Sequence, residues 1–367
     1  MIISLSEVRQ VIKKVSKILL IIIGVIVLLV AGFVLWLSIN EFNPEPVSDV
    51  DIEANSRIGE LSPYEGQEIS LISWNIGYGG LGKNADFFMD GGEDVVTYDH
   101  DGVTANLVGI YKTLYDDDDA PSIFMLQEVD NDSARTYGIC ERQYLGIYNS
   151  AYAMNYSCPY VPFPLPPIGK VNSGLLTTSL FDIDHADRIS LPCPFSWPVS
   201  AANLKRCLLV SYMPIEDSEK HLVIVNLHLE AYDDGEGKIA QTKQLREFIQ
   251  SEYEKGNYVI AGGDFNQIFP GGLDKYPNEH ADLWEPGIIP DDIVPEGWTL
   301  AYDTETPTCR LLNQAYDPDD TASTQYYVID GFILSPNVQL NTVKTLDEGF
   351  TYSDHNPVKL NVTLKYA

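Results

Sequence analysis

The stretch YVIAGGDFNQ, at residues 258–267, decides how the rest of the chain is interpreted. It is a short apolar run that ends in Gly262 and Gly263, with Asp264 and Asn266 directly after them. An apolar run of this length that ends in glycine is typical of a buried strand. Alternate residues of a strand face the same way, so Asp264 and Asn266 are predicted to point into one site. Taken alone, the stretch also fits a turn capped by Asp and Asn.

The composition of the chain is strongly acidic. Its 367 residues contain 23 lysines and arginines against 53 aspartates and glutamates, and 45% of the residues are hydrophobic. From position 40 onward the count is 19 basic against 52 acidic residues. Such a chain folds around a large core, and its charge opposes tight, sequence-independent binding to a phosphate backbone.

The N-terminal segment is predicted to anchor the chain in the plasma membrane. Residues 18–38 are apolar and uncharged, and about 20 such residues span a bilayer as a helix. Four basic residues lie within positions 1–17, whereas acids follow the apolar segment. This asymmetry predicts a single-pass protein with a cytoplasmic N-terminus and an extracytoplasmic main domain. A cleaved signal peptide is the competing interpretation, but the apolar core is long and no clear cleavage site follows it.

The rest of the chain is predicted to form one domain at residues 67–367, after an extended Pro-, Asp- and Glu-rich linker at residues 39–66. The five cysteines lie after the anchor, which leaves one or two disulfides open. Strands are predicted at 69–76, 123–129, 173–180, 206–213, 221–229, 258–262, 326–334 and 358–365, and helices at 103–114 and 236–255. The Tyr- and Pro-rich residues 152–167 are predicted to form a loop over the site.

Polar residues stand at the ends of several of these strands. A lone histidine in a strand is usually structural. A glutamate within an apolar strand is costly to bury unless it is paired or bound to metal, and the alternative is a strand-end glutamate that reaches water. Together they provide the groups that metal-assisted cleavage of a phosphoester needs: carboxylates for a metal ion, a base for water, and donors for phosphate oxygens. The residues are Asn75, Glu128, His228, Asp264, Asn266 and Asp330, with Asp354 and His355 at the start of the last strand.

In this order, the motifs around these residues resemble the endonuclease/exonuclease/phosphatase superfamily, the deoxyribonuclease-I-like hydrolases. The matching pieces are SWN at 73–75, LQEVD at 126–130, NLHL at 226–229, GDFN at 263–266, IDGFI at 329–333 and SDHNPV at 353–358. Gly331 is a departure, because many relatives carry tyrosine after the corresponding aspartate.

The resemblance implies an α+β fold: a four-layer α/β sandwich of two packed mixed β-sheets flanked by helices, here with one N-terminal transmembrane helix. It implies a magnesium site, with manganese as a substitute, at Asn75, Glu128, Asp264 and Asp354. The catalytic residues it implies are His228, Asp264, Asn266, Asp330 and His355. Asn75, His228, Asn266 and Arg135 are expected to contact substrate. Whether Asp264 or the Asp330–His355 pair is the general base stays open.

The function predicted from these observations is metal-dependent hydrolysis of phosphodiester or phosphomonoester bonds outside the membrane, by attack of an activated water on phosphorus. A small molecule or a lipid headgroup is favoured over duplex DNA as the substrate because the domain is so acidic. Two alternatives remain: an extracytoplasmic endonuclease or exonuclease on nucleic acid, and a catalytically silent binding or scaffold domain.

Overall fold

The computed structural model describes residues 5–58, 60–116, 120–233, 235–280, 282–290 and 292–366. Two seven-stranded sheets form the body of the protein, and strands are numbered along the chain. In spatial order, the first sheet contains β1 (Val47–Asp49), β7 (His185–Ser190), β8 (Cys207–Pro214), β9 (His221–His228), β10 (Tyr258–Asp264), β16 (Asp330–Leu334) and β13 (Thr299–Ala301). The second contains β17 (Val338–Thr345), β18 (Val358–Leu364), β3 (Glu68–Asn75), β4 (Ile123–Asp130), β6 (Gly169–Ser179), β5 (Asn149–Val161) and β2 (Ile52–Glu53).

Smaller elements complete the chain. Two pairs of short strands are β11 (Gln267–Ile268) with β12 (Gly287–Ile288), and β14 (Cys309–Arg310) with β15 (Tyr326–Tyr327). The helices are α1 (Leu5–Ile39), α2 (His100–Tyr115), α3 (Glu141–Leu145), α4 (Glu236–Glu254) and α5 (Gly272–Lys275). Both large sheets are mixed, because β9 runs parallel to β10 and β3 runs parallel to β4, while the other pairs within these sheets are antiparallel.

The two sheets pack face to face, and a helix covers the outer face of each. Alternation along the strands sends one set of apolar side chains into the space between the sheets, including Leu71, Met125, Leu209 and Ile224. The other set faces outward: Trp74 and Phe124 pack under α2, and Val223 and Val259 pack under α4. Burial of each such side chain contributes about 1.5–3 kcal/mol. The predicted four-layer sandwich is confirmed.

Helix α1 is long and apolar enough to cross a membrane. The candidate span covers 32 residues, Val8–Ile39, and its most apolar part has a mean hydropathy of 3.5 and no side chain buried within the protein. The last turns of α1 differ from the rest, because Leu37 is buried against the domain and Phe33 packs beside it. The apolar helix and the sandwich are therefore in direct contact.

The predicted linker contains two short strands among its described residues. Val47–Asp49 pairs with β7 at the edge of the first sheet, and Ile52–Glu53 pairs with β5 at the edge of the second. Both sheets would otherwise end in exposed backbone groups, so these short strands satisfy edge hydrogen bonds that composition alone does not reveal. The segment thus ties the two sheets together.

The prediction of a loop at residues 152–167 is wrong for most of that stretch. Asn149–Val161 is a long strand that pairs with β6, and only residues 162–168 connect the two. Four of the prolines fall in this connection, and Pro159 stands where the strand register shifts between Cys158 and Val161, a place where proline is tolerated. Strand β7 and the edge strand β17 carry too few apolar residues to be predicted. All five cysteines are unpaired, so neither of the disulfides that the sequence left open is formed.

Gly263 generates a first prediction. Its φ is +143°, and a Cβ there would overlap the carbonyl oxygen of Leu227 on the neighbouring strand. We expect Gly263→Ala to lower the free energy of unfolding by on the order of 3 kcal/mol, through backbone strain and overlap together. Urea unfolding followed by tryptophan fluorescence measures this loss.

The matched control is Gly271→Ala, because Gly271 has a φ of +78° but open space around the added Cβ. It should cost only about 1 kcal/mol, the penalty for a left-handed residue alone. Equal losses in the two variants would show that close packing of β9 on β10 does not require Gly263.

Candidate active site

The candidate site lies at one end of the sandwich, between the two sheets. The parallel strands β9 and β10 end there at His228 and Asp264, and β3 ends there at Asn75. β16 begins at Asp330, directly opposite Asp264 in the antiparallel register. We call this the site end of the sandwich; the opposite end is the far end. The sheet topology therefore collects side chains that are distant in sequence.

The amide of Asn75 joins two carboxylates. Its Nδ2 donates to Oε1 of Glu128 and to Oδ2 of Asp264, both at 3.1 Å. The amide cannot rotate away freely, because its Oδ1 accepts a hydrogen bond from the backbone N–H of Gly77 at 3.1 Å. Three of the four residues predicted to hold metal are thus in direct contact.

Glu128 reaches this position through an irregularity in β4. The pairing of β4 with β6 shifts register between Leu126 and Val129, and Glu128 has a φ of +54°. A bulge of this kind re-aims a side chain, and a left-handed conformation is unusual for a glutamate. The side chain is 25% exposed, against 2% for Asp264. Glu128 is therefore the more open of the two carboxylates.

Asn266 does not continue the strand. β10 ends at Asp264, and Asn266 follows in a turn with a φ of +50°. Its backbone N–H donates to Oδ1 of Asp264 at 2.8 Å, and its side chain donates to the carbonyl of Leu229 at 2.9 Å. Asn266 therefore belongs to a turn capped by Asp264, and its backbone N–H fixes Oδ1 of the Asp264 carboxylate.

Two histidines approach Asp264: His228 is the last residue of β9, and His355 lies in the segment before β18. His228 places Nε2 3.4 Å from Oδ2 of Asp264, and His355 places Nε2 3.8 Å from the same atom. Nδ1 of His355 lies 2.9 Å from Oδ2 of Asp330, which fixes the ring so that Nε2 faces the site. Asp354 has Oδ2 4.0 Å from Nε2 of His355. All five predicted catalytic residues thus lie at the site end.

Burial perturbs the ionisation of these groups in different directions. It raises the pKa of Asp264 to about 7, with Asp330 adding to the effect and His355 opposing it. It also raises the pKa of Asp354 to about 6, while His355 opposes this rise. Burial and nearby Arg206 hold the pKa of His228 well below its usual range. For His355, burial acts to lower the pKa, but Asp330 and the neighbouring acids outweigh it and the pKa is raised well above its usual range.

The donor set fits a divalent cation. Among the residues that the structure describes, no lysine or arginine forms an ion pair with Glu128 or Asp264. The two neighbouring carboxylates share the amide of Asn75, and His355 is the nearest group that carries positive charge, so carboxylate oxygens remain that a cation can bind. Asp264, Asp330 and His355 also have ligand atoms within 4.8 Å of one another. Oxygen donors of this kind suit Mg²⁺.

Arg135 faces away from these carboxylates. Its guanidinium donates to both oxygens of Asp130, at 2.9 and 2.8 Å, and lies 3.5 Å from the centre of the Tyr78 ring. Asp130 is fully buried and the Arg135 side chain is 12% exposed. The guanidinium of Arg135, predicted to contact substrate, therefore forms its ion pair within the protein.

The sequence did not predict two residue pairs that lie behind the site, Arg206 with Glu230 and Asp90 with Tyr232. Arg206 donates to the carbonyl of His228 at 3.2 Å and pairs with Glu230 at 3.3 Å, so it supports the strand end that carries the histidine. Asp90 accepts a hydrogen bond from the hydroxyl of Tyr232 at 3.2 Å. The only signal for the first pair is that Glu230 follows His228 by two residues; nothing in the sequence links Asp90 to Tyr232.

A substitution of Arg135 distinguishes structural from substrate-binding roles. Arg135→Gln leaves Asp130 buried without its cation, so we expect the free energy of unfolding to fall by about 3–5 kcal/mol. The double variant Arg135→Gln/Asp130→Asn removes the stranded charge and should recover much of that loss. Urea unfolding of the two variants measures both effects. Unchanged stability with weakened substrate binding would instead support direct contact with substrate.

Comparisons with known proteins agree with this architecture. No protein-family model and no curated protein matches the chain. The solved structure of an endonuclease/exonuclease/phosphatase from Beutenbergia cavernae DSM 12333 is similar, with a TM-score of 0.53 and 14% identity over 82% of this chain and 72% of that one. A protein of the same description from Bacteroides vulgatus has a TM-score of 0.51 and 14% identity, over 82% of this chain and 100% of that one.

TDP2 from D. rerio, solved with a single-strand DNA product, has a TM-score of 0.45 and 16% identity, over 81% of this chain and 99% of that one. At such identities, similarity establishes architecture and not activity. The two-sheet sandwich described above and its likeness to the two bacterial structures lead to the same conclusion: this chain has the endonuclease/exonuclease/phosphatase fold that its motifs predict.

Proposed function

We propose that the protein is a metal-dependent phosphoesterase that hydrolyses phosphodiester or phosphomonoester bonds. The observation that carries this proposal is the Asn75 amide that joins Glu128 to Asp264, beside the Nε2 atoms of His228 and His355. A scaffold domain has no need of two carboxylates and two imidazoles converging at a buried site, because each group costs stability there.

The metal site consists of oxygen donors. Glu128 and Asp264 provide carboxylates, Asn75 keeps them in place, and Asp354 lies across His355 from them. Magnesium suits this set, with manganese as a substitute. When bound, the ion supplies positive charge that polarises a phosphoryl oxygen.

The side chains of the chain itself perform the remaining steps. His228 and His355 present Nε2 to the same space, where they donate to phosphate oxygens as negative charge develops on them. Asp264 orients the attacking water and accepts its proton, because Oδ2 lies between the two imidazoles and Asn266 holds the other oxygen. The new bond joins the water oxygen to phosphorus, and the bond to the leaving oxygen breaks. The leaving oxygen takes a proton from solvent, and Asp264 releases to solvent the proton that it accepted. Asp330 keeps His355 oriented throughout.

Charge near the site favours a compact substrate over duplex DNA. Arg135 is paired with Asp130, Arg206 with Glu230, and Arg310 donates to four backbone carbonyls. These arginines therefore do not form a free basic path along which a duplex would bind. A small or lipid-borne phosphoester needs only the metal and the two histidines. The proposed setting is the plasma membrane, with α1 as the single-pass anchor and the domain outside.

Glu128→Gln tests the metal site. The substitution keeps the shape of the side chain but removes one of few carboxylate ligands, so Mg²⁺ affinity should fall by at least about 100-fold and hydrolysis should be lost. Calorimetric titration with Mg²⁺ and a phosphoester assay measure the two effects. Glu68→Gln is the matched control, because Glu68 is an exposed acid at the far end. Unchanged Mg²⁺ binding in Glu128→Gln would exclude this site.

The substrate class is tested by comparing specific rates at physiological salt. Purified protein should cleave members of a panel of phosphodiesters, phosphomonoesters and phospholipids faster than it nicks plasmid DNA, because like charge repels the duplex. Efficient nicking with no turnover on the panel would support the nuclease alternative. Magnesium binding without turnover of any phosphoester would support the silent scaffold.

The orientation in the membrane is tested with Cys193, the exposed cysteine of the domain. A membrane-impermeant maleimide added to intact cells should label it, because the basic flank before α1 stays in the cytoplasm. Cys193→Ser gives the background signal. Labelling that appears only after lysis would place the domain in the cytoplasm.

A further inference from the structure

The membrane helix meets the domain at the site end. β8 begins at this end, since Leu208 pairs with Leu227, the residue before His228. Lys205, just before β8, holds Glu41 at 2.7 Å, and Glu41 follows the last residue of α1 by two positions. The chain therefore leaves α1 beside the strand ends that carry the site.

The hairpin of β5 and β6 extends past the site and contacts α1. Its pairing continues beyond the pair of Asp130 with Ser173 as far as Val161 and Gly169. In this extension, Phe33 and Leu37 of α1 pack against Cys158, Val161 and Val171. Trp197 adds a hydrogen bond from Nε1 to Oγ of Ser38 at 2.8 Å.

If the apolar segment of α1 spans a bilayer, these contacts lie near one of its surfaces. At 1.5 Å per residue, Phe33 lies about 8 Å inside the end of the apolar segment at Ser38. The ring of Tyr160, near the tip of the hairpin, lies edge-on to that of Phe33, with centroids 6.1 Å apart. A helix that spans a hydrocarbon core of about 30 Å therefore brings the extension into the outer interface of the membrane.

The connection between α1 and the sandwich is short and held in place. Ser190, at the end of β7, donates its backbone N–H to the carbonyl of Pro46 and its hydroxyl to that of Glu45. β1 starts immediately afterwards, at Val47. The domain therefore does not hang on a flexible linker, and its site end is kept toward the membrane.

Exposed apolar side chains surround the same contact. Phe163 is 68% exposed and Leu165 is 86% exposed, both in the turn that joins β5 to β6. Trp197 and Val199 are 63% and 56% exposed in the segment before β8. Aromatic residues of this kind are enriched where proteins meet membrane interfaces. We call these four residues the apolar rim.

Phe163 of the apolar rim is connected through Phe88 to the segment that follows His228. The ring of Phe163 contacts that of Phe88, with centroids 5.9 Å apart. Phe88 begins a short 3-10 helix that ends at Asp90, and Asp90 binds Tyr232, four residues after His228. Through Phe88 and Asp90, the rim is therefore connected to Tyr232, on the segment that leaves the end of β9.

We propose that the site end rests on the bilayer that holds α1, with the apolar rim inserted in its interface, and that the substrate is a phosphoester carried by a lipid of that bilayer. This inference rests on the proposed function for its chemistry. The acidic domain is repelled by anionic lipids, so contact depends on the helix and the apolar side chains, not on charge.

Orientation is measured first, by a readout independent of activity. The full chain, with Cys140 and Cys193 changed to serine, receives a fluorescent label at Leu165→Cys and is reconstituted in vesicles of phosphatidylcholine. The remaining native cysteines are buried. Brominated acyl chains should quench the label at position 165. A label at Tyr366→Cys, 78% exposed at the far end, should keep its fluorescence. Equal quenching at both positions, or none at 165, would overturn the orientation.

The substrate is measured next, with Phe163→Asp/Leu165→Asp as the variant and Tyr366→Asp as the matched control. In vesicles of phosphatidylcholine, phosphatidylethanolamine and phosphatidylglycerol, release of water-soluble phosphate compounds should fall about 10-fold or more in the double variant. Hydrolysis of soluble bis(p-nitrophenyl) phosphate should be unchanged. An equal fall on both substrates, or turnover of the soluble diester without lipid hydrolysis, would overturn the lipid assignment. Quenching at position 165 without hydrolysis of either substrate would leave the orientation intact and contradict the proposed function.

Discussion

The burial of several acids at one end of the sandwich is the constraint on which the rest of the site depends. Asp264 and Asp330 are each 2% exposed or less as side chains, and they lie opposite each other on paired strands. Like charges in such a position repel, and burial raises the pKa of Asp264. Two contacts stabilise these carboxylates: the imidazole of His355 lies against Asp330, and the amide of Asn75 donates a hydrogen bond to Asp264. The remaining negative charge of Asp264 lies on the side of Glu128, and a divalent cation fits between these two carboxylates.

Much of this arrangement could be predicted because strand ends impose it. Residues that close parallel strands meet at one edge, so His228 and Asp264 are brought together by hydrophobic patterning alone. The resemblance to known motifs pairs Asp330 with His355, and in the structure Nδ1 of His355 lies 2.9 Å from Oδ2 of Asp330. The prediction failed where the backbone leaves regular geometry. The bulge that turns Glu128 and the turn that holds Asn266 both depend on left-handed residues that are not glycine. No periodic pattern marks such positions.

The partners of Arg135 and the edges of the sheets were hidden for another reason. Arg135 lies a few residues after the predicted metal ligand Glu128, which suggests contact with substrate. In the structure its guanidinium instead pairs with the fully buried carboxylate of Asp130. Residues 39–66 have the composition of a linker, yet two short strands in them complete the edges of both sheets. Pairing at a sheet edge depends on the unpaired backbone N–H and C=O groups of the edge strand. The composition of residues 39–66 does not show where those groups lie.

The same edge pairing joins helix α1 to the end of the sandwich that carries the candidate site. A catalytic domain on a flexible tether samples many orientations, and its membrane anchor then sets only its local concentration. Here Glu41, Pro46 and β1 are bonded to Lys205 and β7 within a few residues of the end of α1. Rotation of the domain relative to α1 would break these bonds and expose the packing of Leu37 on the hairpin. Because the strands of the candidate site end beside that contact, helix α1 and the candidate site keep a fixed geometric relation, which the proposed membrane orientation requires.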